Sequence, residues 1–71
     1  MQTKFKVIFN IEFLMKRDNI KQIRIAEAIG ATRQQINRWI KGEMPHVGYV
    51  LRLHEAYGWT LREMFREEES E

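Results

Sequence analysis

Residues 22–42, QIRIAEAIGATRQQINRWIKG, constrain this chain more than any other stretch. Two short helical patterns meet there at an abrupt break, Gly30-Ala31-Thr32. Ala26 sits four residues before the glycine and Ile36 six residues after it. A small residue, a turn glycine free to take positive φ, and a branched aliphatic at those offsets let two helices cross closely. The second helix then has a defined inward stripe, Ile36, Trp39 and Ile40. It also has a defined outward set: Arg33, Gln34, Asn37, Arg38 and Lys41. Side chains of that kind suit base edges and phosphates.

Punctuation elsewhere divides the rest of the chain into similar short segments. Ile11, Leu14 and Met15 share a face of a first helix, which Asp18-Asn19 can stop. A second helix runs from about Lys21 to Ile29, with Ile25, Ala28 and Ile29 as apolar contacts and Ala26 as the point of close approach. Gly30 is its left-handed C-terminal residue. Thr32 and Gln35 have the spacing of a capping box for the third helix, residues 33–41, which Gly42 ends. A fourth helix is expected over residues 47–57. Val47, Val50, Leu51 and His54 share one face, Leu53 and Tyr57 lie beside it, and Gly58 stops it. Thr60 and Glu63 form a second capping box for a short fifth helix that turns Leu61, Met64 and Phe65 inward. The first ten residues are less clear. Phe5, Val7 and Phe9 alternate with Lys4, Lys6 and Ile8 as in a strand, but no partner strand is visible. The segment reads equally as an extended arm over residues 1–9 or as the lead-in to helix one. The expected fold is therefore a compact all-α domain of five helices over residues 1–66, followed by an acidic tail, residues 67–71.

Seventy-one residues form one small domain with a modest core, which usually needs a staple or very efficient packing. There are no cysteines, so disulfides and thiolate metal sites are excluded. The two histidines, His46 and His54, have no ligand motif around them; His46 reads as a weak cap and His54 as a half-buried hydrogen-bonding residue. No metal or cofactor is expected. No apolar run approaches the roughly 20 residues of a membrane span, and the N-terminus lacks a signal-peptide pattern, so a cytoplasmic protein without membrane contact is expected. Net charge is only +2, but residues 1–66 carry all twelve Lys and Arg against six acids, and four more glutamates follow. A basic body suits an anion-binding surface, although charge alone fits a mixed solvated surface at least as well. The four glutamates read as a solvated tail or, more sharply, as an autoinhibitory segment. Tyr57 and Trp59 read as core edge or as an exposed aromatic patch. The only serine, Ser70, lies in the tail, and no Gly-rich loop or acid pair suggests an enzyme.

Taken in order, these features resemble the lambda-repressor/Cro-like (XRE-type) helix-turn-helix DNA-binding domains of phage and bacterial regulators. The likeness runs through Ile20-Lys21-Gln22, Ile25-Ala26-Glu27, Gly30-Ala31-Thr32, Ile36, Arg38-Trp39 and Lys41-Gly42. It continues through Pro45, the apolar helix, Gly58 and Thr60-Leu61-Arg62-Glu63. The resemblance implies a sequence-specific binder of double-stranded DNA, with helix 33–41 in the major groove. It implies base-reading roles for Arg33, Gln34 and Arg38, with Asn37 reaching either base or phosphate. Gln22 and Lys41 fall at phosphate-facing positions. Lys21 replaces the usual Ser or Thr cap and is expected to add a phosphate contact. A homodimer on a pseudo-palindromic operator is implied, with Phe5, Val7 and Phe9, or Tyr57 and the fifth helix, as candidate surfaces. Two other readings stand beside this one. In the first, an antitoxin-type module also binds a protein partner, a toxin or antirepressor. In the second, a protein-binding helical domain keeps a vestigial helix-turn-helix.

Overall fold

The computed structural model describes residues 4–70. The element order is β1 (Lys4–Phe9), α1 (Ile11–Arg17), α2 (Gln22–Ile29), α3 (Arg33–Ile40), α4 (Val47–Tyr57), α5 (Leu61–Met64) and β2 (Phe65–Ser70). All five expected helices form, and their limits follow the punctuation. Gly30 and Gly58 take left-handed conformations at φ 72° and 70° and end α2 and α4. Asn19 takes the same region at φ 55° after α1. Both capping boxes are made, Thr32 with Gln35 and Thr60 with Glu63. His46 is exposed and caps α4, its Nδ1 accepting from the Gly48 amide at 3.1 Å.

The all-α expectation is corrected. β1 pairs antiparallel with β2 from Lys4↔Ser70 to Phe9↔Phe65, so the fold is mostly helical with a two-stranded ribbon. Residues 67–70 of the segment read as an acidic tail belong to the second strand, β2 (Phe65–Ser70), while Glu71 lies outside the described residues. Phe-Arg-Glu-Glu-Glu-Ser has little intrinsic strand character. It pairs because α5 is one turn long and delivers Phe65 directly beside Phe9. The Asn10 amide then donates to the Met64 carbonyl at 2.6 Å and anchors the base of the ribbon. Opposite charges also face each other across it, with Lys6 opposite Glu68.

The core lies between the helices and under the base of the ribbon. Ile11, Leu14, Ile25, Ile36 and Leu53 are completely buried, with Ile29, Trp39, Trp59 and Met64 nearly so. Trp59 is therefore core, with Tyr57 stacked on it at 4.8 Å. Three large apolar residues expected inside lie outside: Val47, Leu51 and Leu61 are 65%, 58% and 66% exposed. The buried stripe of α4 is Val50 and Leu53, rotated from the expected one, and Leu61 opens α5 on its outer side. Ala28 is likewise exposed. The His54 ring is exposed too, but its Nδ1 lies 2.8 Å from the Trp59 carbonyl.

A polar network closes the far side. Asp18 accepts from Trp59 Nε1 and from Arg17 Nε, both at 2.8 Å. Arg17 Nη1 donates to Glu63 at 2.7 Å. The end of α1 is thereby tied to the start of α5. Hydrogen bonds from Arg17 and Trp59 hold the Asp18 carboxyl below its ordinary range. The Thr60 amide, and then Arg17, do the same for Glu63. No helix among the described residues is long and apolar enough to cross a membrane.

Candidate nucleic-acid interface

α3 is held by its inner side. Ile36 and Trp39 are buried, and Trp39 packs edge-on against Phe9 at 5.8 Å and at a tilt against Tyr49 at 5.4 Å. Its N-terminus is fixed twice. The Thr32 side chain accepts from the Gln35 amide at 3.1 Å, and the Thr32 amide donates back to Gln35 Oε1 at 2.9 Å. The same Gln35 donates its Nε2 to the Tyr49 hydroxyl of α4 at 3.2 Å. Gln35 therefore caps its own helix and braces it to a neighbour.

The turn between α2 and α3 is braced from α4 as well. Arg52 Nη1 donates to the Ile29 carbonyl at 2.8 Å, satisfying one of the free carbonyls at the end of α2. Tyr49 and Arg52 were not singled out by sequence reading. Nothing local marks them, since each acts on a residue 14 or 23 positions away.

With the inner side fixed, Arg33, Gln34, Asn37 and Arg38 of α3 and its C-cap residue Lys41 are all exposed. They fall three or four residues apart and form one outward surface. Among the described residues, Arg33, Gln34, Arg38 and Lys41 have no side-chain hydrogen bond or ion pair within the protein. Lys21, the exposed N-cap residue of α2, makes no side-chain cap bond. Gln22, the first residue of α2, is half-buried and donates its Nε2 to Asn37 Oδ1 at 2.9 Å. The two helices of the motif are thus joined at their solvent side by one amide pair. All seven sequence-predicted site residues belong to α2, α3 or the residues that flank them.

A helix-turn-helix family model matches residues 11–64, which run from the start of α1 to the end of α5. This chain belongs to the helix-turn-helix family. Within that family it is of the lambda-repressor/Cro-like type. The Repressor protein CI of Enterobacteria phage phi80 is 33% identical to it over 51 residues, which cover 72% of this chain. The aligned stretch covers 22% of that repressor, so the chain corresponds to a fraction of its relative's length. No solved structure matches the chain. The family match leaves β1 and β2 outside it, so this helix-turn-helix domain carries its ribbon as an addition to the matched unit.

Proposed function

We propose that this chain is a sequence-specific double-stranded DNA-binding transcriptional regulator of the phage-repressor type. The observation that carries the reading is the outward surface of α3. Five polar side chains, three of them cationic, lie on a helix whose opposite side is locked into the core. α3 enters the major groove, where Arg33 and Arg38 suit guanine and Gln34 suits adenine. Lys21, Gln22 and Lys41 flank these residues and suit the phosphates on either side. Rigid placement matters here, because a base-reading side chain acts only if its helix cannot roll. The Gln35–Tyr49 and Arg52–Ile29 bonds supply that restraint.

The regulator acts as a homodimer on a pseudo-palindromic operator, with two α3 helices about 34 Å apart. A continuous apolar strip supports this. Val7, Leu61 and Phe65 line one shallow groove, and Leu61 also lines the adjoining one with Val50, Leu51 and Met64. Phe5, 62% exposed, extends the strip along the ribbon past the end of the helical body. A two-stranded ribbon has little stability in water without cover on its apolar face. Arg62 and Glu67 lie at the same groove and give its rim both signs of charge.

The test is selection of bound sequences from a random duplex pool, together with sedimentation of the free protein. A half-site repeated at about one helical turn is expected. Leu61→Glu is expected to shift the protein to monomer and to weaken operator binding. No enrichment of any sequence, with no salt-dependent binding at low ionic strength, would refute the DNA-binding reading.

A further inference from the structure

Asn37 is the one outward residue of α3 already engaged inside the protein, and the manner of its engagement bears on sequence preference. Gln22 Nε2 donates to Asn37 Oδ1 at 2.9 Å. An asparagine amide reads adenine by using both of its ends at once, donating to N7 while accepting from the N6 amine. In this geometry the oxygen end is turned toward α2 and only the NH2 end faces outward. An amide so held presents its donor end to a base and keeps its oxygen, one lone pair already engaged, turned toward α2. It suits guanine O6 and N7, or thymine O4, and loses its advantage at adenine. Gln22 keeps a second N–H on the same nitrogen, which is free for a phosphate oxygen.

We infer that Gln22 is a specificity-determining residue acting through Asn37: by holding the Asn37 oxygen it turns the donor end of Asn37 to the groove and favours guanine or thymine over adenine. This rests on the proposed DNA-binding function and deepens it. Of the four candidate base-readers, Arg33 and Arg38 only donate, Asn37 presents its donor end, and Gln34 is free to offer both a donor and an acceptor. The half-site is accordingly biased toward guanine or thymine edges, with Gln34 the residue best suited to a bidentate contact with adenine.

The test compares selected sequences from a random duplex pool for the wild type, Asn37→Ala, Gln22→Ala and Gln22→Glu. All three variants alter surface side chains, and helical content measured by circular dichroism checks their folding. Asn37→Ala locates the relevant base pair as the position whose preference disappears. The wild type is expected to take guanine or thymine there. Gln22→Ala frees the Asn37 oxygen and is expected to raise adenine at that position by about fivefold or more relative to guanine. Gln22→Glu can only accept, so Asn37 turns its NH2 inward and its oxygen outward. Preference should then move to bases with an exocyclic amine, adenine or cytosine. Adenine at that position for the wild type, or no position relaxed by Asn37→Ala, would overturn the inference. So would an unchanged profile in both Gln22 variants with only overall affinity reduced. A wild-type protein that enriches no sequence at all would mark failure of the DNA-binding reading itself, and the inference would fall with it.

Discussion

Gly30 offers a quantitative test of how the helix-turn-helix is held together. Its φ of 72° lies in the left-handed region, where an L side chain costs about 1–2 kcal/mol. Alanine also restricts the unfolded chain, which returns about 0.4–1 kcal/mol. The backbone contribution of Gly30→Ala is therefore a loss of about 1 kcal/mol. A second contribution comes from space. A Cβ built at Gly30 lies 3.1 Å from Arg52 Nη1, the atom that donates to the Ile29 carbonyl. The guanidinium must shift, and a hydrogen bond of this kind contributes about 1 kcal/mol. The expected total is a loss of about 2 kcal/mol, a fall in Tm of about 8–16 °C for a domain of this size. Thermal and urea unfolding of the wild type, Gly30→Ala, Arg52→Ala and the double variant would separate the two parts. In the Arg52→Ala background the cost of Gly30→Ala should fall to about 1 kcal/mol, since the displaced contact is already gone. A cost below about 0.5 kcal/mol in either background would refute the left-handed geometry. An undiminished cost in the Arg52→Ala background would refute the steric part.

Other expectations follow from the same geometry. Arg38→Ala should cost about 1–3 kcal/mol on the selected operator and much less on random DNA, as read by competition binding. Equal loss on both would reassign Arg38 to phosphate. Lys41→Ala should weaken all sequences alike and reduce the slope of log K against log salt by about one unit; an unchanged slope would count against it. Asp18 and Glu63 have folded-state pKa values below their ordinary ones, so their contribution to stability is complete at neutral pH. It drains away as pH falls below about 4, through those lowered values. Melting curves from pH 7 to pH 2 should show that decline, and it should be shallower in Asp18→Asn/Glu63→Gln. An identical pH profile in the double variant would remove these two groups as its cause. Tyr49→Phe keeps the packing on Trp39 but removes the partner of Gln35. It should lower operator affinity more than it lowers Tm, and the reverse order would make Tyr49 a packing residue only.

Much of the helical body was legible in the sequence because its signals are local. A capping box such as Thr32 with Gln35 acts within one turn, and Gly30 and Gly58 mark helix ends by their own backbone freedom. What escaped depends on distance along the chain. Phe5, Val7 and Phe9 alternate as a strand should, yet their partner lies some sixty residues away in a glutamate-rich segment of low strand propensity. The rotation of α4 is not legible in the sequence because Val47, Val50, Leu51 and His54 make as good a stripe as the one used, and only packing selects between them. The outward residues of α3 follow from its inward ones by helical period. The links from Gln22 to Asn37, Gln35 to Tyr49 and Arg52 to Ile29 depend on how helices cross, which no local pattern encodes.

The antiparallel register of the ribbon gives the domain a particular mechanical character. Lys4 and Ser70 face each other at its tip, and the pairs run inward to Phe9 and Phe65 at the helical body. A pull that separates residues 4 and 70 would load one pair at a time, so the ribbon would unzip stepwise at low force. The helices would be reached only after the Asn10–Met64 bond had parted. The outer pairs of the ribbon thus act as a sacrificial link, and tension reaches α3 only when the unzipping arrives at Phe9, which packs on Trp39.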